Sequence, residues 1–457
     1  MRVIGHSSLA TIGGALHKSF VATLLYLAFI TPVVHAQTYR QIIADVDNAL
    51  ALKSADELVL AAGLQAEASK GKNLPSLDAH LEAVHLKDDP VMYLHFPSFP
   101  GQSTGAIPMA TKSQWRGDLT LSYPLFTGFA VTAAIDKAAF EHALTALKRD
   151  DLKRNLYLQA TRLYTAIYAT EKILDAKEKA QMAIEEAYKK AKGLYDNGLL
   201  PPADLYNIEA RKFAIDADIT ETKNRKSQLM NRLSYLIDRP VDSIDTLETG
   251  GNPLNKEQLI QTALASREDI RALKTSLKID ESMEKLAKSR YYPTVGVAAA
   301  LKKHGDTLEL NGDGYTNADQ SYVGASMQWN LFSGFGDEKR VEAMRRKILA
   351  AKLALNDYQK RVRMELNNAF LNLAALQSKL TSARMETKAQ EEYYRLTLGR
   401  FENQLASADE LSRSIADLAA ARAKVSAIKS EIFNQRATIW LMSGLESFKR
   451  AFFMKNH

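Results

Sequence analysis

One residue pattern occurs twice in this chain at a fixed offset of 206 residues, and few folds accommodate a repeat of that length. Pro124-Leu125-Phe126-Thr127-Gly128-Phe129 returns as Asn330-Leu331-Phe332-Ser333-Gly334-Phe335. Tyr195-Asp196-Asn197-Gly198-Leu199 returns as Phe401-Glu402-Asn403-Gln404-Leu405, with no insertion between the two matches. Two copies of one structural unit are therefore expected, each an alternating strand, a glycine-containing turn, a very long helix, a tight turn followed by Leu205 or Leu411, and a second helix. A weaker pair precedes two further strands: Lys72-Asn73-Leu74-Pro75 and Arg290-Tyr291-Tyr292-Pro293.

The long helix is read from what it lacks. Between Ala130 and Tyr195 there is no proline and only one glycine, Gly193, while Ala, Leu, Lys, Glu and Gln dominate; these residues lose least on entering a helix. At 1.5 Å per residue such a helix is roughly 100 Å long. Leu156, Ala160, Leu163, Ile167 and Leu174, then Ile184, Ala187, Ala191 and Leu194, step by three, four and seven as a coiled-coil seam does. Val362, Leu366, Ala369, Leu373, Leu376 and Leu380 continue that seam in the second copy. Gly198 ends the first helix and Pro201-Pro202 opens the next, to about Ile237. In the second copy Ser407 or Asp409 is the N-cap of a helix to about Met442. Helices are also expected over about Tyr39 to Gly71 and Lys256 to Ser289.

The organisation predicted is a signal peptide at 1–36, a first repeat at 37–248, a linker at 249–255, a second repeat at 256–446 and a C-terminal tail at 447–457. The leader rests on Arg2 and Lys18, the apolar stretch Phe20 to Val34, and cleavage after Ala36. The net charge of +7 falls to +5 once Arg2 and Lys18 are removed, and it is spread along helical faces; no concentrated basic stripe for nucleic acid is present. Cysteine is absent, which excludes disulfides, thiolate metal sites and an acylated N-terminal cysteine.

Four segments alternate with period two: Leu77 to Leu86, Trp115 to Phe126, Thr294 to Leu301 and Tyr322 to Phe332. Each has about the ten residues that a tilted strand needs to cross a bilayer. Trp115, Tyr322 and Trp329 suit an interfacial aromatic belt, with core packing as the competing reading. Four strands cannot close a barrel, and an open edge in lipid leaves backbone groups unsatisfied. Two chains would supply eight strands and three would supply twelve, the second leaving an open lumen inside a wider ring of helices.

These features together resemble the TolC-like outer-membrane efflux proteins of Gram-negative bacteria: the signal peptide, the duplicated unit, the Tyr291-Tyr292-Pro293 and Leu331-Phe332-Ser333-Gly334-Phe335 strand flanks, and the two hairpin tips. The resemblance implies a mainly α fold with a membrane β-barrel portion. Four strands per chain would join a twelve-stranded barrel by homotrimerisation, continuous with a periplasmic tunnel of long helical hairpins. It implies an exit channel of a tripartite efflux or type I secretion system, located in the outer membrane and extending into the periplasm. Its partners would be a periplasmic adaptor (membrane fusion) protein and an inner-membrane pump or ABC transporter. The alternative carried beside it is a periplasmic coiled-coil scaffold or adaptor without a pore.

The resemblance also assigns site residues. Asp409 and Glu410, with Asp204 in the first copy, match the acidic constriction of the periplasmic gate, where threefold symmetry would set carboxylates face to face. The second reading of Asp409 and Glu410 is a helix cap and first-turn acid, and the two can hold together. Tyr195, Arg400 and Phe401 are candidates for a tip latch, and Leu199, Leu200 and Leu405 for adaptor docking. No catalytic residue, cofactor or metal is expected. His80, His85, His95, His142, His304 and His457 form no zinc-type spacing with carboxylates, Asn311-Gly312-Asp313-Gly314 lacks the twelfth-position Glu of a calcium loop, and there is no phosphate-binding glycine motif.

Overall fold

The computed structural model describes residues 36–93, 105–247, 254–312 and 319–453. The predicted leader up to residue 35, most of the linker at 249–255, His95 and His457 lie outside those residues. The first half contains α1 (Tyr39–Val46), α2 (Leu50–Gly71), β1 (Ser76–His85), β2 (Val91–Met92), β3 (Ile107–Pro108), β4 (Ser113–Phe126), α3 (Ala130–Asp196) and α4 (Pro202–Ile237). The second contains α5 (Lys256–Ser266), α6 (Glu268–Lys288), β5 (Thr294–Gly305), β6 (Tyr322–Gln328), α7 (Gly336–Glu402), α8 (Ala408–Met442) and α9 (Leu445–Phe452).

The start points of α3 and α7 lie 206 residues apart, and both helices have 67 residues. Their flanks have the same local chemistry. Gly128 and Phe129 precede α3 with φ of 61° and 69°, and Gly334 and Phe335 precede α7 with φ of 62° each. At the far end the Asn197 side chain donates to Gly193 O at 2.7 Å and Asn403 to Gly399 O at 2.7 Å. Leu199 N then donates to Leu194 O at 2.8 Å, and Leu405 N to Arg400 O at 2.7 Å. These six-to-one bonds across a left-handed residue satisfy carbonyls that the helix end leaves open. Gly198 takes the left-handed position without strain (φ 73°), whereas the second copy places Gln404 there (φ 60°).

Away from the sheet the helices pack side by side in the order α4, α3, α8, α7; near the sheet the order is α2, α3, α6, α7. Strands follow the second order: the four-stranded antiparallel sheet runs β1-β4-β5-β6, so each strand continues the helix beside it in sequence. The seam positions expected on α3 and α7 point inward: Leu156, Ala160, Ile167, Ile184, Ala187, Ala191, Val362, Leu366, Ala369 and Leu373 are all buried. The largest core lies around Tyr39, whose ring meets Tyr164, Phe433 and Phe452 edge-on and whose hydroxyl shares a 2.8 Å hydrogen bond with Thr161. Among the described residues no helix is long and apolar enough to cross a membrane.

Four readings of the sequence change in detail. The helix expected over Tyr39 to Gly71 breaks at Ala49 (φ −58°, ψ 137°), and that over Lys256 to Ser289 breaks at Arg267 (φ −59°, ψ 135°). At the second break, polar anchoring outweighs the helical preference of the segment: Arg267 is buried, its guanidinium pairs with Asp269 at 2.8 Å, and it reaches Met442 O at 3.5 Å. The fourth strand ends at Gln328, not Phe332; Trp329 donates from its indole to Tyr291 O at 3.2 Å, and Asn330 Oδ1 accepts the Phe332 N–H at 3.2 Å. Residues 447–452, read as part of a tail, belong to α9, and Phe448 and Phe452 enter the Tyr39 core. The short β2–β3 pair had no sequence signal.

Candidate functional site

The hairpin tips gather most of the residues singled out by sequence. A small core closes them: Ala180, Ile184, Ala187 and Ala191 of α3, Ile208 of α4, Phe401 of α7, and Ala408, Leu411 and Ile415 of α8. Phe401 is 2% exposed, so it is a packing residue that ties both hairpins together and has no free surface for a latch. Leu200 and Leu205 pack against this core from its edge. Leu199 and Leu405, by contrast, are 57% and 68% exposed at equivalent turn positions, and Tyr195 is exposed beside the first.

Most of the charge singled out at the second tip is paired. Ser407 is the N-cap of α8, its Oγ accepting the Glu410 N–H at 3.1 Å, which settles the choice between Ser407 and Asp409. Asp409 pairs with Arg413 one turn on at 2.6 Å and approaches Arg211 of α4 at 4.0 Å. Glu410 pairs with Arg400 at 2.9 Å, and the same guanidinium donates to Leu405 O at 3.0 Å, which tethers the turn to both helices. Glu402 of α7 pairs with Lys190 of α3, and that hydrogen bond holds the Lys190 ammonium above its usual range. Asp204 lies half-buried in the first turn of α4, and among the described residues it has no ion-pair partner. Arg211, Arg413, Lys190 and Glu402 were not anticipated. Arg413 was legible from its i+4 spacing to Asp409, while the others depend on how the hairpins pack.

The sheet is the second functional element. Register places Leu77, Leu81, Trp115, Leu119, Leu121, Leu301, Val323 and Met327 on one face, and all the large aliphatics of that set are exposed. Ser76, Asp78, His80, Glu82, Arg116, Asp118, Thr120, Lys302 and His304 take the opposite face. Trp115 is on the apolar face; Tyr322 is on the polar one, with Lys302 Nζ 5.4 Å from its ring centroid. β1 and β6 are edge strands in this chain.

Residues 259–445 match the family described as Outer membrane efflux protein. Solved structures agree in fold. The outer membrane protein VceC of Vibrio cholerae has 16% identity and a TM-score of 0.71, over 89% of this chain and 96% of that one. The outer membrane channel CmeC of Campylobacter jejuni has 13% identity and a TM-score of 0.73, over 98% and 94%. The outer membrane channel MtrE of Neisseria gonorrhoeae, in its open state, has 17% identity and a TM-score of 0.69, over 89% of each chain. No curated protein matches this chain in sequence.

Proposed function

From the premise that this chain is an outer membrane efflux protein of the TolC-like family, we propose that it is an outer-membrane exit channel rather than an enzyme. Three copies place twelve strands in one barrel and their helices in a periplasmic tunnel, and substrates pass passively from an inner-membrane pump and a periplasmic adaptor to the exterior. The observation that carries this reading is the sheet itself: four strands with an exposed apolar face, a polar face opposite, and two open edges. In lipid those edges require strands from another copy. A periplasmic scaffold has no use for such a face.

The mechanism places the resistance at the tips. Asp409, Glu410 and Asp204 line the narrowing; the pairs Asp409–Arg211 and Glu402–Lys190 hold the two hairpins together, and Glu410–Arg400 fixes the turn of the second. Exposed ion pairs of this kind are individually weak, at most about 1 kcal/mol each. A partner can therefore exchange them for its own contacts, and exposed Leu199 and Leu405 offer it apolar ground. Loosening the tips widens the entrance without disturbing the Tyr39 core.

Because the chain contains no cysteine, single cysteines introduced on the two edges test the assembly cleanly. Ala79→Cys on β1 is combined with cysteine at Val323, Ala325 or Met327 on β6. Cross-linked trimers in the outer-membrane fraction are expected. Protein in that fraction that cross-links only to dimers, or not at all across the series, overturns the barrel.

A further inference from the structure

The two repeats agree in register as well as in order. The strand entries at Pro75 and Pro293 lie 218 residues apart, and so do the helix breaks at Ala49 and Arg267, whose backbone angles match. The strand exits at Phe126 and Phe332 lie 206 residues apart. Applied to the β1–β4 register, these two offsets return the β5–β6 register pair for pair: Ser76 opposite Ser122 becomes Thr294 opposite Gln328, and Glu82 opposite Arg116 becomes Ala300 opposite Tyr322. One hairpin geometry is therefore used twice.

The contact between the repeats, by contrast, is made once in the chain. β4 pairs with β5, setting Leu119 opposite Leu301, and α3 packs against α6. The equivalent elements stand apart: β1 and β6 are the edges of the sheet, and α2 and α7 are the ends of the helix row. Two signs mark these edges as unfinished. Leu147 of α3 and Ser282 of α6 are buried, whereas their equivalents, Leu353 of α7 and Leu64 of α2, are 61% and 68% exposed. β6 also stops short. β4 runs to Phe126, and from Tyr123 onward it pairs only with β5. The equivalent residues 329–332 lack that neighbour, and the strand ends at Gln328.

We infer that β6 and α7 of one copy repeat, against β1 and α2 of the next copy, the contact that β4 and α3 make with β5 and α6 inside each chain, and that this seam extends β6 to Phe332. The same offsets fix its register: Ala325 stands opposite Ala83 of the next copy, Met327 opposite Leu81, Val323 opposite His85 and Trp329 opposite Ala79. Face matching agrees independently. The register brings apolar-face residues of β6 to apolar-face residues of β1, where a slip of one residue would oppose the two faces. β6 has no charged side chain to meet a like charge. At the strand entry, Leu74 of the next copy takes beside Phe335 the place that Tyr292 takes edge-on to Phe129 at 5.5 Å. The inference rests on the channel reading and adds to it the seam at which copies join.

The test is disulfide formation between copies of the full-length protein in the outer-membrane fraction, oxidised with copper phenanthroline and read on denaturing gels. Ala83→Cys/Ala325→Cys is expected to give cross-linked trimers at least about fivefold faster than Ala83→Cys/Val323→Cys or Ala83→Cys/Met327→Cys: directly opposed Cβ atoms lie about 5 Å apart and diagonal ones about 7 Å, against the ~4 Å of a disulfide. Among pairs with Ala79, Met327 is one diagonal step away and is expected to exceed Ala325 and Val323. In wild-type trimers, amides at 329–332 are expected to exchange hydrogen as slowly as those at 123–126. A shifted pair that reacts fastest overturns the register, and fast exchange at 329–332 overturns the extension of β6, each leaving the channel intact. Trimers that conduct in a planar bilayer while none of the pairs cross-links overturn the seam alone. Folded protein that forms no trimers overturns both the seam and the channel.

Discussion

Replacing Phe401 by alanine separates packing from charge at the tips. The ring is 2% exposed and sits among Ile184, Ala187, Ile208 and Leu411, so its removal leaves a cavity shared by both hairpins. Such truncations cost about 3–5 kcal/mol, and the low end applies here because a helix tip can partly collapse. The Tyr39 core belongs to a separate cluster, so the loss falls on local opening. At about 1.4 kcal/mol per decade, 3 kcal/mol raises the tip opening constant more than about 100-fold. Hydrogen exchange reads this directly: amides near 398–411 are expected to lose about two decades of protection or more, while amides near Tyr164 keep theirs. Conductance of the same variant is expected to rise. A loss below about tenfold, or a uniform loss along the chain, would refute the assignment of Phe401 as the packing keystone of the tips.

Arg400→Gln is expected to cost less than about 1 kcal/mol by thermal melting because its pair with Glu410 is exposed, yet to raise single-channel conductance; unchanged conductance would remove the pair from the gate. Gly334→Ala is expected to cost about 1–2 kcal/mol for its left-handed backbone alone, while Gly128→Ala costs more because the new Cβ meets Ser289 O at 2.5 Å; equal costs from chemical denaturation would contradict the close approach. Burial pushes the Glu268 carboxyl above its usual range, although it accepts the Leu445 N–H at 3.0 Å and lies 3.8 Å from Arg154. A raised carboxyl stabilises the fold below its unfolded pKa and loses that contribution as pH rises through the folded value. Glu268→Gln is therefore expected to gain melting temperature relative to wild type between pH 4.5 and 7.5, and parallel melts would contradict it.

Much of this fold was written in local sequence. The 206-residue offset placed the starts of both long helices and both turns, because glycine before the helix and asparagine at its end act within one turn of backbone. Alternation found all four long strands, since it depends only on which face each residue takes. The breaks at Ala49 and Arg267 were hidden because nothing local demands them; the second is anchored by contacts to residues far along the chain. Phe401 read as a latch candidate, and its place in the core was hidden for the same reason: only the packing of α3, α4 and α8 around it makes it core. The carboxylates Asp409 and Glu410 were legible, as was Arg413 beside Asp409, but the approach of Arg211 to Asp409 and the pairing of Arg400 with Glu410 depend on a fold that spacing alone does not give.

The most direct test of the channel reading is the conductance of purified, detergent-extracted protein in a planar bilayer, wild type beside Asp409→Ala/Glu410→Ala. The account predicts small, cation-preferring steps from wild-type trimers, and larger, less selective steps once the tip carboxylates are gone. Folded, membrane-inserted trimers that carry no current would contradict it.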